Sequence, residues 1–225
     1  MRIATAGLVA VLATFDAAAT QVVDDFEHGN INQWAWIGSR GGPGNVNPDG
    51  GNPGGWFDSH DEFYGWHPMA TSMPAANTPL RDALASGTLH KVQLDFVRLA
   101  TDCFPDYGLP STMTLQLADL HSDPGGSASL AQTTIGTGVP PEGAPWQTVS
   151  FDIPSDSEDA TPPGWEILAA PELGYTWQDM MHNIDAIAFL PLNPDDITYE
   201  SCWHVGVDNI IVTYGDVLFS NGFEP

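Results

Sequence analysis

The chain has 225 residues, with 29 Asp and Glu against five Lys and Arg, a formal net charge of −24. That balance argues against nucleic acid, heparin and anionic lipid as partners, because binding phosphate needs clustered Lys and Arg. Anionic polysaccharides are disfavoured in the same way unless a cation bridges, whereas a neutral ligand or a divalent cation is compatible.

Residues 1–20 read MRIATAGLVAVLATFDAAAT. Basic Arg2, an apolar stretch over 6–15 and small Ala17, Ala18 and Ala19 form a signal-peptide pattern, with cleavage near Ala19 or Thr20. The apolar stretch is too short to cross a bilayer, and Asp16 interrupts it. The expectation is an exported protein, periplasmic or extracellular, with no membrane insertion. Removing the segment takes one basic residue (Arg2) and one acid (Asp16), so the charge stays at −24. The rest suits one domain over 21–215, at roughly 100–200 residues per domain. A solvated tail, DVLFSNGFEP, follows at 216–225.

Strands are predicted at 21–27, 33–38, 68–73, 89–99, 112–120, 129–135, 146–153, 184–190 and 203–214. Val92, Leu94 and Phe96 alternate with Lys91, Gln93 and Asp95, and Met113, Leu115 and Leu117 with Thr112, Thr114 and Gln116. Val149, Phe151 and Ile153 alternate with Thr148, Ser150 and Asp152. Each pattern is one apolar face opposite one polar face, as in an antiparallel sheet with one side on a core. Short helical turns are predicted at 78–87, where Thr78 is an N-cap and Pro79 opens the first turn, and at 176–184. The Gly/Pro-rich segment 38–55 reads as a long surface loop, without strand or helix. Cys103 and Cys202, the two cysteines of an exported chain, are expected to form a disulfide. The predicted fold is all-β, a two-sheet antiparallel β-sandwich of jelly-roll type with about nine strands and one or two short helical turns.

The last strand, CWHVGVDNIIVTY at 202–214, poses a chemical question. Strict alternation places Asp208 on one face with Ile210, Val212 and Tyr214. A carboxylate among such neighbours must be solvated, hydrogen-bonded or paired with a cation. The first strand, VVDDFEHG, carries Val23, Asp25 and Glu27 on one face and Val22, Asp24 and Phe26 on the other. Where first and last strands meet, these acids oppose Asp208, and such an oxygen-rich site suits Ca²⁺, which takes 6–8 oxygen ligands.

Three motifs in order carry a resemblance. They are Asp25-Phe26-Glu27 with Gly29 and Trp34, the central Trp146-Gln147-x-Val149-x-Phe151, and the closing Val207-Asp208-Asn209-Ile210. Together they resemble the carbohydrate-binding modules of the galactose-binding-like jelly-roll type, over residues 21–214. The resemblance implies a glycan-binding role and a structural Ca²⁺ held by Glu27 and Asp208.

Candidate sugar platforms are exposed aromatic rings, which stack on the apolar C–H face of a pyranose. Trp56, Tyr64 and Trp66 form one group, in a loop-like stretch rich in Asp, His and Glu; Trp165, Tyr175 and Trp177 form another. Trp146 and Trp203 start strands and are expected in the core, as is one of Trp34 and Trp36. The cluster His60, Asp61, Glu62 and His67 has metal-ligand chemistry, but such proximity is expected by chance in a chain with this many acids and seven His. The chain has no Gly-x-Ser-x-Gly elbow and no His-Glu-x-x-His zinc helix. The expectation is a non-catalytic module for a neutral polysaccharide or glycan-bearing surface. A structural or adhesive domain without a sugar site, and a glycan-degrading enzyme on the same scaffold, are the alternatives.

Overall fold

Period-two alternation of apolar residues fixes which side of each strand is buried, and two such sets of strands close on one another. The computed structural model describes residues 19–29, 34–36, 42–43, 45–61, 69–99, 112–121, 128–134, 136–154, 160–168, 174–190 and 203–215. The strands are β1 (Thr20–Asp24), β2 (Trp34–Trp36), β3 (Gly42–Pro43), β4 (Asn45–Gly51), β5 (Gly54–Asp61), β6 (Ala70–Ser72) and β7 (Leu89–Arg98). They continue as β8 (Thr112–Asp119), β9 (Ser129–Thr133), β10 (Thr137–Gly138), β11 (Gln147–Asp152), β12 (Trp165–Leu168), β13 (Ala186–Leu190) and β14 (Trp203–Tyr214). Two one-turn helices, α1 (Pro79–Leu84) and α2 (Trp177–His182), lie at the predicted places, each with a threonine N-cap.

The six-stranded sheet runs β11–β7–β14–β5–β4, with β1 also on β14. The other runs β12–β9–β8–β13–β6–β2–β3, with β10 on β8. The chain crosses between sheets from β5 to β6, from β7 to β8 and from β13 to β14, and the pairings are antiparallel. This is the predicted two-sheet jelly-roll sandwich, with fourteen strands among the described residues where about nine are expected.

Val92, Leu94 and Phe96 of β7, Val149 and Phe151 of β11, and Val205 and Val207 of β14 face Met113, Leu115, Leu117, Ile187 and Phe189 of the other sheet. Phe189 joins the layers, with its ring 5.9 Å from Trp34 and 6.2 Å from Phe151. Leu80 and Leu84 of α1 and Trp177, Met180 and Met181 of α2 belong to the same core. The one buried acid of β1, Asp24, is satisfied by Trp34 Nε1 at 2.7 Å.

The first and last strands do meet: β1 pairs with β14 from Thr20↔Tyr214 to Asp24↔Ile210. β5 pairs with the other half of β14, so β1 and β5 lie end to end along one edge of it. The Gly/Pro-rich segment departs from expectation. Instead of a loop it forms the hairpin β4–β5, turning at Asn52–Pro53, whose peptide bond is cis. Its glycines permit the turn, because Gly50 and Gly54 have φ of +94° and +82°. Residues 1–18 and 216–225 lie outside the described residues, and with them the tail and all but the last two residues of the expected signal peptide, whose Thr20 opens β1; Cys103 and Cys202 lie outside as well. No helix among the described residues is long and apolar enough to cross a membrane.

Candidate metal centre and the neighbouring aromatic face

Asp208 owes its position to a β-bulge. The ladder with β7 runs Val207↔Phe96, Asp208↔Asp95 and then Ile211↔Gln93, so Asn209 and Ile210 together oppose Leu94. Asn209 absorbs the extra residue with φ of +43°. The bulge keeps Val205, Val207, Ile210 and Val212 all in the core. It turns Asp208 to the opposite face, which corrects the expectation that Asp208 shares a side with Ile210 and Val212. Asp208 is nevertheless fully buried. Its Oδ2 accepts from the Asn52 backbone N–H at 2.6 Å and its Oδ1 from the Asn209 N–H at 2.7 Å. Burial pushes its carboxyl up to about 6; the two N–H donors oppose this, and the charges of Asp95 and Glu27 add to it.

Glu27 approaches the same hairpin from the other end of the chain, and its charge acts on Asp208. After β1 the backbone turns at Phe26, which is buried against Phe57 with φ of +55°. This turn sets Glu27 beside the hairpin, where its carboxylate occupies the space a Cβ on Gly54 would take. A Cβ on Gly51 would lie 2.5 Å from Gly55 O, 2.8 Å from Gly54 O and 2.8 Å from Asp208 Oδ2. The space beside Gly51 is thus bordered by three oxygens from three residues, and glycine is required at both 51 and 54. The Asp208 carboxylate and the Gly54 and Gly55 carbonyls beside Gly51, with the Glu27 carboxylate against Gly54 and no lysine or arginine among them, are oxygen donors of the kind that a hard cation such as Ca²⁺ takes. The residues present fit that ion.

Asp25 is placed differently. It is exposed, and its Oδ1 accepts from the Glu27 N–H at 3.2 Å, shaping the turn that presents Glu27. Asp95, which sequence reasoning did not single out, faces Asp208 across the ladder. Its Oδ2 accepts from Asn209 Nδ2 at 2.9 Å and Asn52 Nδ2 at 3.2 Å, and its Oδ1 from Thr148 Oγ1 at 2.6 Å.

The aromatic face adjoins this cluster. Trp56 is on β5 rather than in a loop, and Trp146 is partly exposed rather than in the core. The rings meet edge to face at 6.0 Å. Both lie over Gly206, where a Cβ would be 2.7 Å from Trp146 Cη2 and 2.9 Å from Trp56 Cε3. Trp56 Nε1 donates to Asp49 O at 3.0 Å and Trp146 Nε1 to Gly50 O at 3.2 Å. Along the same face, His204 Nε2 and Asp58 Oδ1 are 3.0 Å apart, Asn47 Nδ2 donates to Asp58 Oδ2 at 2.9 Å, and His60 stacks on His204 at 4.7 Å. Tyr64, Trp66, Glu62 and His67 lie outside the described residues, as does the side chain of Asp61. The second aromatic group is not a platform. Trp165 and Trp177 are buried against each other at 5.2 Å, and Tyr175 donates to Asp119 Oδ2 at 2.6 Å.

Asp119, His121 and Asp185 bring three potential ligand atoms within 4.8 Å of one another at the other sheet. A positive charge already occupies this cluster. Asp185 is bridged to the Arg81 guanidinium and accepts from His121 Nδ1 at 2.7 Å and Leu120 N–H at 3.0 Å. Burial pushes the Asp185 carboxyl up, but the hydrogen bonds from His121, Arg81 and Leu120 together hold it below its ordinary value. A cation here would have to displace a guanidinium, so the cluster reads as a clasp between α1 and the start of β13.

Fold and site define an acidic, antiparallel two-sheet sandwich with an oxygen-lined cradle where its terminal strands meet. No protein-family model matches the chain, and no curated protein matches it significantly. Among solved structures it is similar to the CBM22-1–GH10 modules of endo-1,4-β-D-xylanase 10B from Clostridium thermocellum, complexed with xylohexaose. That likeness has 14% identity and a TM-score of 0.49 over 87% of this chain and 28% of that one. An exo-β-agarase matches at 12% identity and a TM-score of 0.46, over 85% of this chain and 25% of that one. The L4b domain of human laminin α-2 matches at 10% identity and a TM-score of 0.42, over 87% of this chain and 98% of that one. The chain therefore spans about a quarter of the length of the first two.

Proposed function

We propose that this chain is an exported, non-catalytic sandwich module that binds neutral glycan and is stabilised by a structural calcium ion. The observation that carries the glycan reading is the face of the six-stranded sheet where Trp56 and Trp146, both partly exposed, lie beside Asp58, His60 and His204. Indole rings offer an apolar surface to a pyranose, and the neighbouring polar groups offer hydrogen bonds to its hydroxyls. The net charge of −24 favours a neutral polysaccharide over an anionic one. Glu27 and Asp208 would hold the ion, with the Gly54 and Gly55 carbonyls beside them and Asp95 adding negative charge. The bound ion would supply charge neutralisation. The signal-like segment 1–20 supports export, and a Cys103–Cys202 disulfide belongs to the same reading.

Affinity electrophoresis in gels containing neutral polysaccharides tests the glycan claim. At least one polysaccharide is expected to retard the wild type. The double variant Trp56→Ala, Trp146→Ala is expected to bind it roughly tenfold or more weakly, at least about 1.4 kcal/mol. Equal retardation of both proteins, or none with any polysaccharide, contradicts the reading. One observation favours the structural or adhesive alternative. Both indole N–H groups are satisfied within the chain and both rings press onto Gly206, as in a plug over the sheet.

A further inference from the structure

Three consecutive residues at the end of β4 serve two sites. Asp49 O accepts the Trp56 indole N–H, Gly50 O accepts the Trp146 indole N–H, and Gly51 borders the oxygen cradle. The hairpin ladder is irregular between Asn47↔Trp56 and Gly51↔Gly54, which turns residues 48–50 out of regular pairing. The Asp49 and Gly50 carbonyls therefore anchor rings rather than a neighbouring strand. A second link runs through β14, where Gly206 lies under both rings and Asp208, two residues on, enters the cradle.

We infer that cation occupancy at the Glu27–Asp208 cradle sets the position of Trp56 and Trp146, making the aromatic face cation-dependent although the ion touches neither ring. The inference rests on the calcium reading above. Without the ion, the carboxylates of Glu27, Asp95 and Asp208 repel one another around the hairpin tip. The tip is tied to β14 by the Asn52 N–H on Asp208 Oδ2 and by Asn209 Nδ2 on Asn52 O, and the ion, by neutralising the acids, holds that geometry and fixes the Asp49 and Gly50 carbonyls. Asp49 and Gly50 thus act as positioning residues for the rings. Any ligand of the face then binds with an affinity coupled to calcium, and the coupling is reciprocal.

The test is ¹⁹F NMR of the full chain labelled with 5-fluorotryptophan, with calcium alone as the probe. The Trp56, Trp146, Trp34 and Trp177 resonances are assigned by single Trp→Phe substitutions, and thermal melting is followed in parallel. Calcium is expected to raise the melting temperature and to shift the Trp56 and Trp146 resonances, while those of buried Trp34 and Trp177 stay in place. Glu27→Gln, which changes an exposed side chain, is expected to abolish both responses and leave the other resonances native. A rise in melting temperature without movement of Trp56 or Trp146 overturns the coupling and leaves the calcium site standing. No response of either kind overturns both.

Discussion

In EDTA, the protein is expected to lose stability as the pH rises from about 4 to about 7, by a step that Asp208→Asn lacks. The Asp208 carboxyl is raised in the folded chain to about 6 from an ordinary value of 3.8. A raised carboxyl binds its proton more tightly folded than unfolded. Its stabilising contribution is therefore complete below the unfolded value and is lost as the pH rises through the folded one. About two units correspond to roughly 3 kcal/mol, at about 1.36 kcal/mol per unit. Urea unfolding of both proteins in EDTA between pH 4 and pH 7 measures the step as their difference. Calcium is expected to remove it, because the ion binds the ionised carboxylate that the metal-free fold disfavours. A difference between the proteins that does not change with pH would contradict the burial argument.

Gly51→Ala is expected to cost more. The new methyl would meet Gly55 O at 2.5 Å, and Gly54 O and Asp208 Oδ2 at 2.8 Å. Two of these oxygens are backbone, so the hairpin itself must shift, and such overpacking costs about 1–3 kcal/mol. The methyl also occupies the cradle, so the calcium-dependent stabilisation is lost as well, about 2.7 kcal/mol at a hundredfold excess over Kd. The expected total is about 4–6 kcal/mol in calcium and about 1–3 kcal/mol in EDTA, from urea unfolding. An equal cost in both buffers would mean that the space beside Gly51 holds no ion.

The sequence made the layers legible because alternation speaks directly for half-buried strands. β7, β8 and β11 carry one apolar and one polar face, and the structure places them as predicted. The start of α1 is equally readable, since Thr78 accepts the Arg81 N–H as the expected N-cap, whereas the capping box at Thr176 emerges only in the structure. The hairpin β4–β5 was hidden because glycine and proline in NVNPDGG mask a strand whose pairing depends on β14. The pairing of β1 with β14 followed the acidic residues at both ends of the chain, but the side on which Asp208 emerges did not. One inserted residue at Asn209 reverses the alternation, and nothing in VGVDNIIV distinguishes a bulge from a continuous strand. Asp95 could not be found for the same reason, because its place opposite Asp208 depends on the register between two strands more than 100 residues apart. Trp146 read as core because it precedes an apolar strand, whereas its neighbours over Gly206 come from β5 and β7.

The central claim is that acids from the two ends of the chain jointly bind one divalent ion, and calorimetric titration of the EDTA-stripped, dialysed protein with calcium at pH 7.5 tests it most directly. The account predicts saturable binding of one ion per chain in the wild type and its loss in Glu27→Gln and Asp208→Asn. An absence of binding heat in the wild type at several temperatures, together with a melting temperature that calcium leaves unchanged, would contradict it.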